Sequence, residues 1–147
     1  RQALATKKVA LVTALSDEDP VAAVDASQLR QCLINLVRNA REAMQSGGDL
    51  YVRVRAIEPA AAEIVLEDTG TGIPESVIGS VFDPFFTTKS RGTGLGLAVT
   101  REIIEAHGGH ISCERRAEGG TRFRIWLPRT QPAGPDADIT PATDALA

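Results

Sequence analysis

Four stretches of this sequence hold side chains that can do chemistry. In VLEDTGTGIPE, Val65 to Glu75, an apolar run ends at a carboxylate, Asp68, and Gly70 and Gly72 follow at once. A carboxylate at the end of a buried strand has two uses. It can share a proton with a second carboxylate, as in an aspartic protease dyad. It can also stay ionised and accept a hydrogen bond from a ligand, while the glycines let the backbone approach that ligand. Asn35 and Asn39 are four residues apart, so on a helix they share a face one turn from each other. Asparagine amides compete for backbone hydrogen bonds and suit helix interiors poorly, so the pair needs solvent or a ligand. Gly92, Gly94 and Gly96 open a third stretch, GTGLGLA. Free amides at a helix start, with the positive end of the helix dipole, attract anions. The fourth, FDPFFTTK, places three of the chain's four phenylalanines and Lys89 in a loop expected to be exposed. Loops seldom hold clustered aromatics unless these pack or dock, and the lysine can reach a phosphate.

These residues need elements to hold them. KKVALVTAL reads as a strand, and DPVAAVD as a second short strand or extended segment. From Asp25, apolar residues recur as Leu29, Cys32, Leu33, Leu36, Val37, Ala40, Ala43 and Met44, the period of an amphipathic helix. Asp25 and Gln28 are spaced as a capping box, and Gly47 and Gly48 stop the helix. Asn35 and Asn39 fall off that stripe. DLYVRVRAIE alternates as a half-buried strand, and AAAEIVLED is a second strand. A glycine-rich segment with one short helix near Glu75–Val81 follows, then a helix from LGLAVTREIIEAH closed by Gly108 and Gly109. HISCERRAEGGTRFRIWLP reads as a terminal hairpin with Trp126 in its core face. The pattern predicts an α/β two-layer sandwich: a mixed, mostly antiparallel sheet with helices on one face and the other solvated. Residues 1–129 form one domain. Residues 130–147, rich in Pro, Ala, Thr and Asp, read as a disordered tail or linker.

The bulk numbers exclude several classes. A net charge of −3 offers no basic field for nucleic acid or anionic lipid. No apolar run approaches the roughly 20 residues that span a bilayer, and the first residues lack the apolar core of a signal peptide. Cys32 and Cys113 form no metal-ligand spacing and read as two reduced thiols. The glycines of GTGLGL do not follow a strand, so they are no dinucleotide fingerprint, and no G-x-x-x-x-G-K-[ST] loop is present.

Taken in order, the four stretches resemble the catalytic ATP-binding domain of sensor histidine kinases. NLVRNA, Asn35 to Ala40, is similar to that family's N box; DTGTGIP, Asp68 to Pro74, to its first glycine box; FDPFF to its F box; and GTGLGLA, Gly92 to Ala98, to its second glycine box. The resemblance covers Lys8 to Arg129, and the form of the last two boxes is similar to the nitrogen-regulation branch with its short lid, here Glu75 to Arg91. It implies a Bergerat-type fold that binds ATP with Mg²⁺. Asp68 would accept from the adenine amine, where guanine presents a carbonyl instead. Thr121 would support that carboxylate, and Gly70, Gly72 and Ile73 would line the base. Asn39 would offer an amide oxygen to Mg²⁺. Gly92, Thr93, Gly94, Leu95, Gly96 and Leu97 would hold the phosphates, and Lys89 would add positive charge near the γ-phosphate.

Related ATPases of the gyrase and Hsp90 type carry a glutamate where this chain has Asn35. An amide cannot take a proton at neutral pH, so the resemblance implies transfer to a nucleophile rather than hydrolysis. In the family that nucleophile is a histidine on a separate helical dimerisation domain, docked through Phe82 and Phe85, with a response regulator downstream. His107 reads as a partner for a helix C-terminus and His110 as a strand residue, so neither is expected to be the acceptor. One departure is Glu42, where many family members have lysine; it leaves Lys89 and Arg91 as the cationic phosphate contacts. The resemblance further implies a cytoplasmic location and a monomeric isolated domain, without direct contact with nucleic acid or membrane. A scaffold that binds nucleotide without turnover and an anti-sigma-type serine kinase are the competing readings.

Overall fold

The computed structural model describes residues 9–15, 22–57, 60–86 and 95–129. Strand β1 (Val9–Leu15) leads to helix α1 (Ala26–Ala43), β2 (Gly48–Ile57), β3 (Ala61–Asp68), a short 3₁₀ turn (Ile78–Ser80), helix α2 (Gly96–Ala106), β4 (His110–Arg115) and β5 (Thr121–Pro128). The sheet order is β1-β2-β3-β5-β4. Only β1 and β2 run parallel, because α1 intervenes and carries the chain back; the other neighbours are antiparallel. Both helices pack on one face, giving the expected mixed two-layer sandwich. The expected strand or extended segment at DPVAAVD is not a strand where it is described: Ala22 to Asp25 have no regular structure. The Ala23 N–H ties them to the sheet, donating to the Pro128 carbonyl at 3.2 Å.

The core lies between helices and sheet. Cys32, Leu36 and Ala40 of α1 and Met44 at its C-cap meet Ile64 and Leu66 of β3, Phe123, Ile125 and Leu127 of β5, and Ile104 of α2. Leu36, Ile104, Ile125 and Leu127 are fully enclosed, so truncating any of them to alanine costs about 2–5 kcal/mol. Phe82 belongs to this core as well, edge-to-face with Phe123 at 6.2 Å between ring centroids.

The far face is not simply wet. Central strand β3 is buried on both sides, Val65 and Glu63 included. Arginines from β2 and β5 lie over it, their apolar stems covering Val65 while their heads reach glutamates. Glu63 pairs with Arg55 at 2.6 Å and Arg124 at 3.7 Å; Glu67 pairs with Arg122 at 2.8 Å, Arg116 at 3.0 Å and Arg53 at 3.3 Å. Trp126 sits on this face, stacked on His110 at 5.0 Å, and not in the core. Alternation alone leaves open which phase of β5 faces the helices, and Phe123, Ile125 and Leu127 took that side. Among the described residues no helix is long and apolar enough to cross a membrane.

Candidate functional site

Helix α1 begins where Asp25 accepts the N–H groups of Ser27 and Gln28 at 2.9 and 3.1 Å. The reciprocal bond of a capping box is made by another residue: the Asp25 N–H donates to His107 Nε2 at 3.2 Å. The other ring nitrogen, Nδ1, lies 2.7 Å from the Ile103 carbonyl, so the ring carries its proton on Nδ1 and accepts at Nε2. His107 therefore ties the end of α2 to the start of α1, and both its nitrogens are engaged.

Asp68 closes β3 with 4% of its surface exposed. Gly70 donates its N–H to Oδ1 at 2.8 Å, and the Thr121 N–H also bonds the carboxylate. Burial pushes this carboxyl above its ordinary range; the two N–H groups and the Arg116 guanidinium pull the other way but do not cancel it. Thr121 thus meets the carboxylate directly, through its backbone N–H. The loop after Asp68 is docked on the C-terminus of α1. Thr71 donates to the free carbonyl of Ala43 at 3.2 Å, and any Cβ on Gly70 would lie 2.5 Å from that oxygen. Gly72 adopts φ 77° beside Gly120, and a Cβ on Gly120 would strike the Asp68 carbonyl. The glycines here are needed for clearance as much as for conformation.

Asn35 is 8% exposed, because α2 covers the flank that the apolar stripe of α1 left open. Its amide nitrogen donates to the Gly96 carbonyl and to Thr100 Oγ1, each at 3.2 Å. Asn39, one turn on, is half-buried. Ile73 and Leu97 are half-buried against the core, and Leu95 is exposed at the start of α2. The structure thus joins Asp68, Gly70, Gly72 and Thr121 into one constellation and Asn35 with Gly96 into another, with α1 linking them. Lys89, Arg91, Gly92, Thr93 and Gly94 lie outside the described residues. The lid is described only from Glu75 to Phe86.

Three residues of the site carried no sequence signal that singled them out. Thr100 is one threonine inside a helix. Arg116 reaches the Asp68 carbonyl at 3.4 Å from a turn. Cys113 faces the helices near Asp68, and burial, with added repulsion from Asp68, pushes its thiol up to about 12. Both cysteines are free thiols. Gly120 was legible in principle, since a Gly-Gly pair before a strand marks positive φ.

The sequence and fold resemble those of known proteins. Residues 24–131 match the family model of histidine kinase-, DNA gyrase B- and HSP90-like ATPases. The chain belongs to this ATPase family. As a member it is 42% identical over 119 residues to sporulation kinase E of Bacillus subtilis, spanning 81% of this chain and 16% of that protein. It is equally identical over 132 residues to the C4-dicarboxylate transport sensor protein DctS of Rhodobacter capsulatus, spanning 87% and 20%. Among solved structures, the nucleotide-free catalytic domain of histidine kinase ThkA superposes with a TM-score of 0.73 at 35% identity, covering 83% of this chain and 80% of that one. Full-length ShkA in complex with AMPPNP superposes at 0.72 with 27% identity, covering 86% and 27%. The chain therefore spans a fifth or less of these two curated relatives, while it matches an isolated catalytic domain nearly end to end.

The two uses of Asp68 ask for different surroundings. A proton-sharing dyad requires a second carboxylate brought to the first; here the Asp68 oxygens take backbone N–H groups beside a glycine loop docked on a helix.

Proposed function

We propose that this chain is the ATP-binding catalytic domain of a two-component sensor histidine kinase, acting on the cytoplasmic side. It would deliver the γ-phosphoryl group of ATP to a histidine on a helical dimerisation domain, with a response regulator downstream. The observation that carries this reading is Asp68: a buried carboxylate, held by two backbone N–H groups at the end of the central strand. With its orientation fixed in advance, it can accept from the exocyclic amine of adenine without reorganising. Guanine would bring a carbonyl to the same oxygen and be repelled.

The remaining roles follow from where each element stands. Ala43, which anchors the base-side loop, is about 12 Å along α1 from Asn35, which touches Gly96. Asn39 lies between them, where the phosphate chain would run. Leu95, Gly96 and Leu97 would offer backbone donors at the α2 start, beyond Gly92, Thr93 and Gly94, with Lys89 supplying charge.

Magnesium fits as an ion that arrives with the phosphates. Among the described residues no three His, Cys, Asp or Glu side chains converge on a metal site, so Asn39 would contribute a single neutral oxygen. Bound so, the ion would neutralise charge on the phosphate oxygens during transfer. Asn35 cannot abstract a proton from water, which favours transfer to the imidazole nitrogen with ADP as leaving group. Neither histidine here suits as acceptor: His107 has both nitrogens engaged, and His110 is stacked on Trp126 on the far face.

Calorimetric titration with ATP, ADP and GTP, in Mg²⁺, tests the reading. ATP and ADP are expected to bind and GTP to be rejected. Asp68→Ala should weaken ATP binding roughly ten- to a hundredfold, the worth of one charge-assisted hydrogen bond; equal affinity for the variant sinks the assignment. With labelled ATP alone, the chain should stay unlabelled.

A further inference from the structure

Thr100 is a fully buried hydroxyl in an otherwise apolar stretch of α2, with 0% of its surface exposed. Its Oγ1 donates to the Gly96 carbonyl one turn back at 2.8 Å. Having spent its proton there, it can only accept from Asn35, which fixes the Asn35 amide with Nδ2 toward α2. Both hydrogens of that amide are then used, one on Thr100 and one on Gly96. The Asn35 oxygen takes Gln31 Nε2 at 3.3 Å, and the Cys32 thiol approaches the Thr100 carbonyl at 3.9 Å.

A buried helical threonine commonly bonds its own i−4 carbonyl and does nothing more. Two further observations separate this one. The bonds from Asn35 cross between helices, and they converge on the first turn of α2. Among the described residues that turn has no side-chain cap: Leu95 occupies the N-cap position, and its side chain can make no hydrogen bond to the first amides. The first turn of α2 is thus held from within by Thr100 and from the side by Asn35.

We infer that Thr100 is a positioning residue: with Asn35 it clamps the first turn of α2 to α1 and so sets the backbone donors that face the phosphates. The inference rests on the ATP reading only for its consequence; the clamp itself can be tested without nucleotide. Thr100→Val keeps the shape and removes the hydroxyl, while Thr100→Ser keeps the hydroxyl.

The first measurement is amide hydrogen exchange on the full chain without ligand. Thr100→Val should speed exchange at Val99, whose N–H donates to the Leu95 carbonyl at 2.9 Å, roughly three- to tenfold, leave β3 unchanged, and be rescued by Thr100→Ser. Unchanged exchange at that turn overturns the clamp. The second is binding: Thr100→Val should weaken ATP by a similar factor while adenosine, competed against a fluorescent ATP analogue, keeps its affinity. Equal loss for both ligands, or no loss for ATP, overturns the positioning role. If the unaltered chain binds no ATP, the proposed function fails, and the exchange experiment still decides the clamp. Should Thr100→Val not fold, Asn35→Ala carries both measurements.

Discussion

Asp68 holds a charge where the fold would prefer none. Its folded pKa is raised by burial, so the ionised form lowers stability at neutral pH, and the loss is relieved as pH falls through the folded pKa. Asp68→Asn keeps an oxygen for the Gly70 N–H and removes the charge. Its melting temperature should exceed that of the unaltered protein at pH 7.5, with the gap closing in acid, and its ATP binding should weaken. A scan of melting temperature against pH checks this; a variant less stable at every pH would contradict it. ATP itself should bind with constant affinity near neutrality and weaken as Asp68 protonates, starting at higher pH than an ordinary aspartate would. At this scale Asp68, Gly70 and Gly72 were readable from the sequence because their types are unusual for a strand end. Thr100 and Arg116 were not: each is an ordinary residue whose meaning comes from a partner far along the chain.

The elements were legible where one hydrophobic period dominated, as in α1, β2 and α2. They were misread where a second layer decided the outcome. Asn35 looked solvated until α2 covered it, Trp126 looked internal until the opposite phase of β5 was buried, and Phe82 looked free until Phe123 received it. The far face of β3 is a further case. Burial pushes Glu67 up, yet Arg122, Arg116 and Arg53 together bring it below the usual glutamate range. A depressed carboxyl contributes stability that is present above its unfolded pKa and lost as pH falls through the folded one. Glu67→Gln should therefore destabilise by about 1–3 kcal/mol at neutral pH, less in acid, the reverse of the trend at Asp68. Denaturant midpoints at two pH values separate the two cases.

At the scale of the molecule, the sandwich order β1-β2-β3-β5-β4 was only partly foreseeable, since strand adjacency depends on crossings that periodicity does not record. The phenylalanine loop divides its labour. Phe82 is a core residue with Arg101 over its ring at 5.7 Å, so of the two expected docking residues only Phe85 is presented. Phe85 is 73% exposed and has φ 66°, the sole positive φ outside glycine among the described residues. A bulky side chain in that conformation costs about 1–3 kcal/mol, which an interaction outside this chain can offset. Phe85→Ala should leave ATP affinity unchanged and slow phosphoryl transfer to an added helical acceptor domain; a rate equal to that of the unaltered chain would remove the docking role.

Because its only indole is stacked on His110, across the sheet from Asp68 and α1, this protein carries a built-in reporter blind to occupancy. Its emission should follow loss of the folded state while ignoring what sits in the cleft, so melting curves recorded with and without nucleotide share one unperturbed baseline.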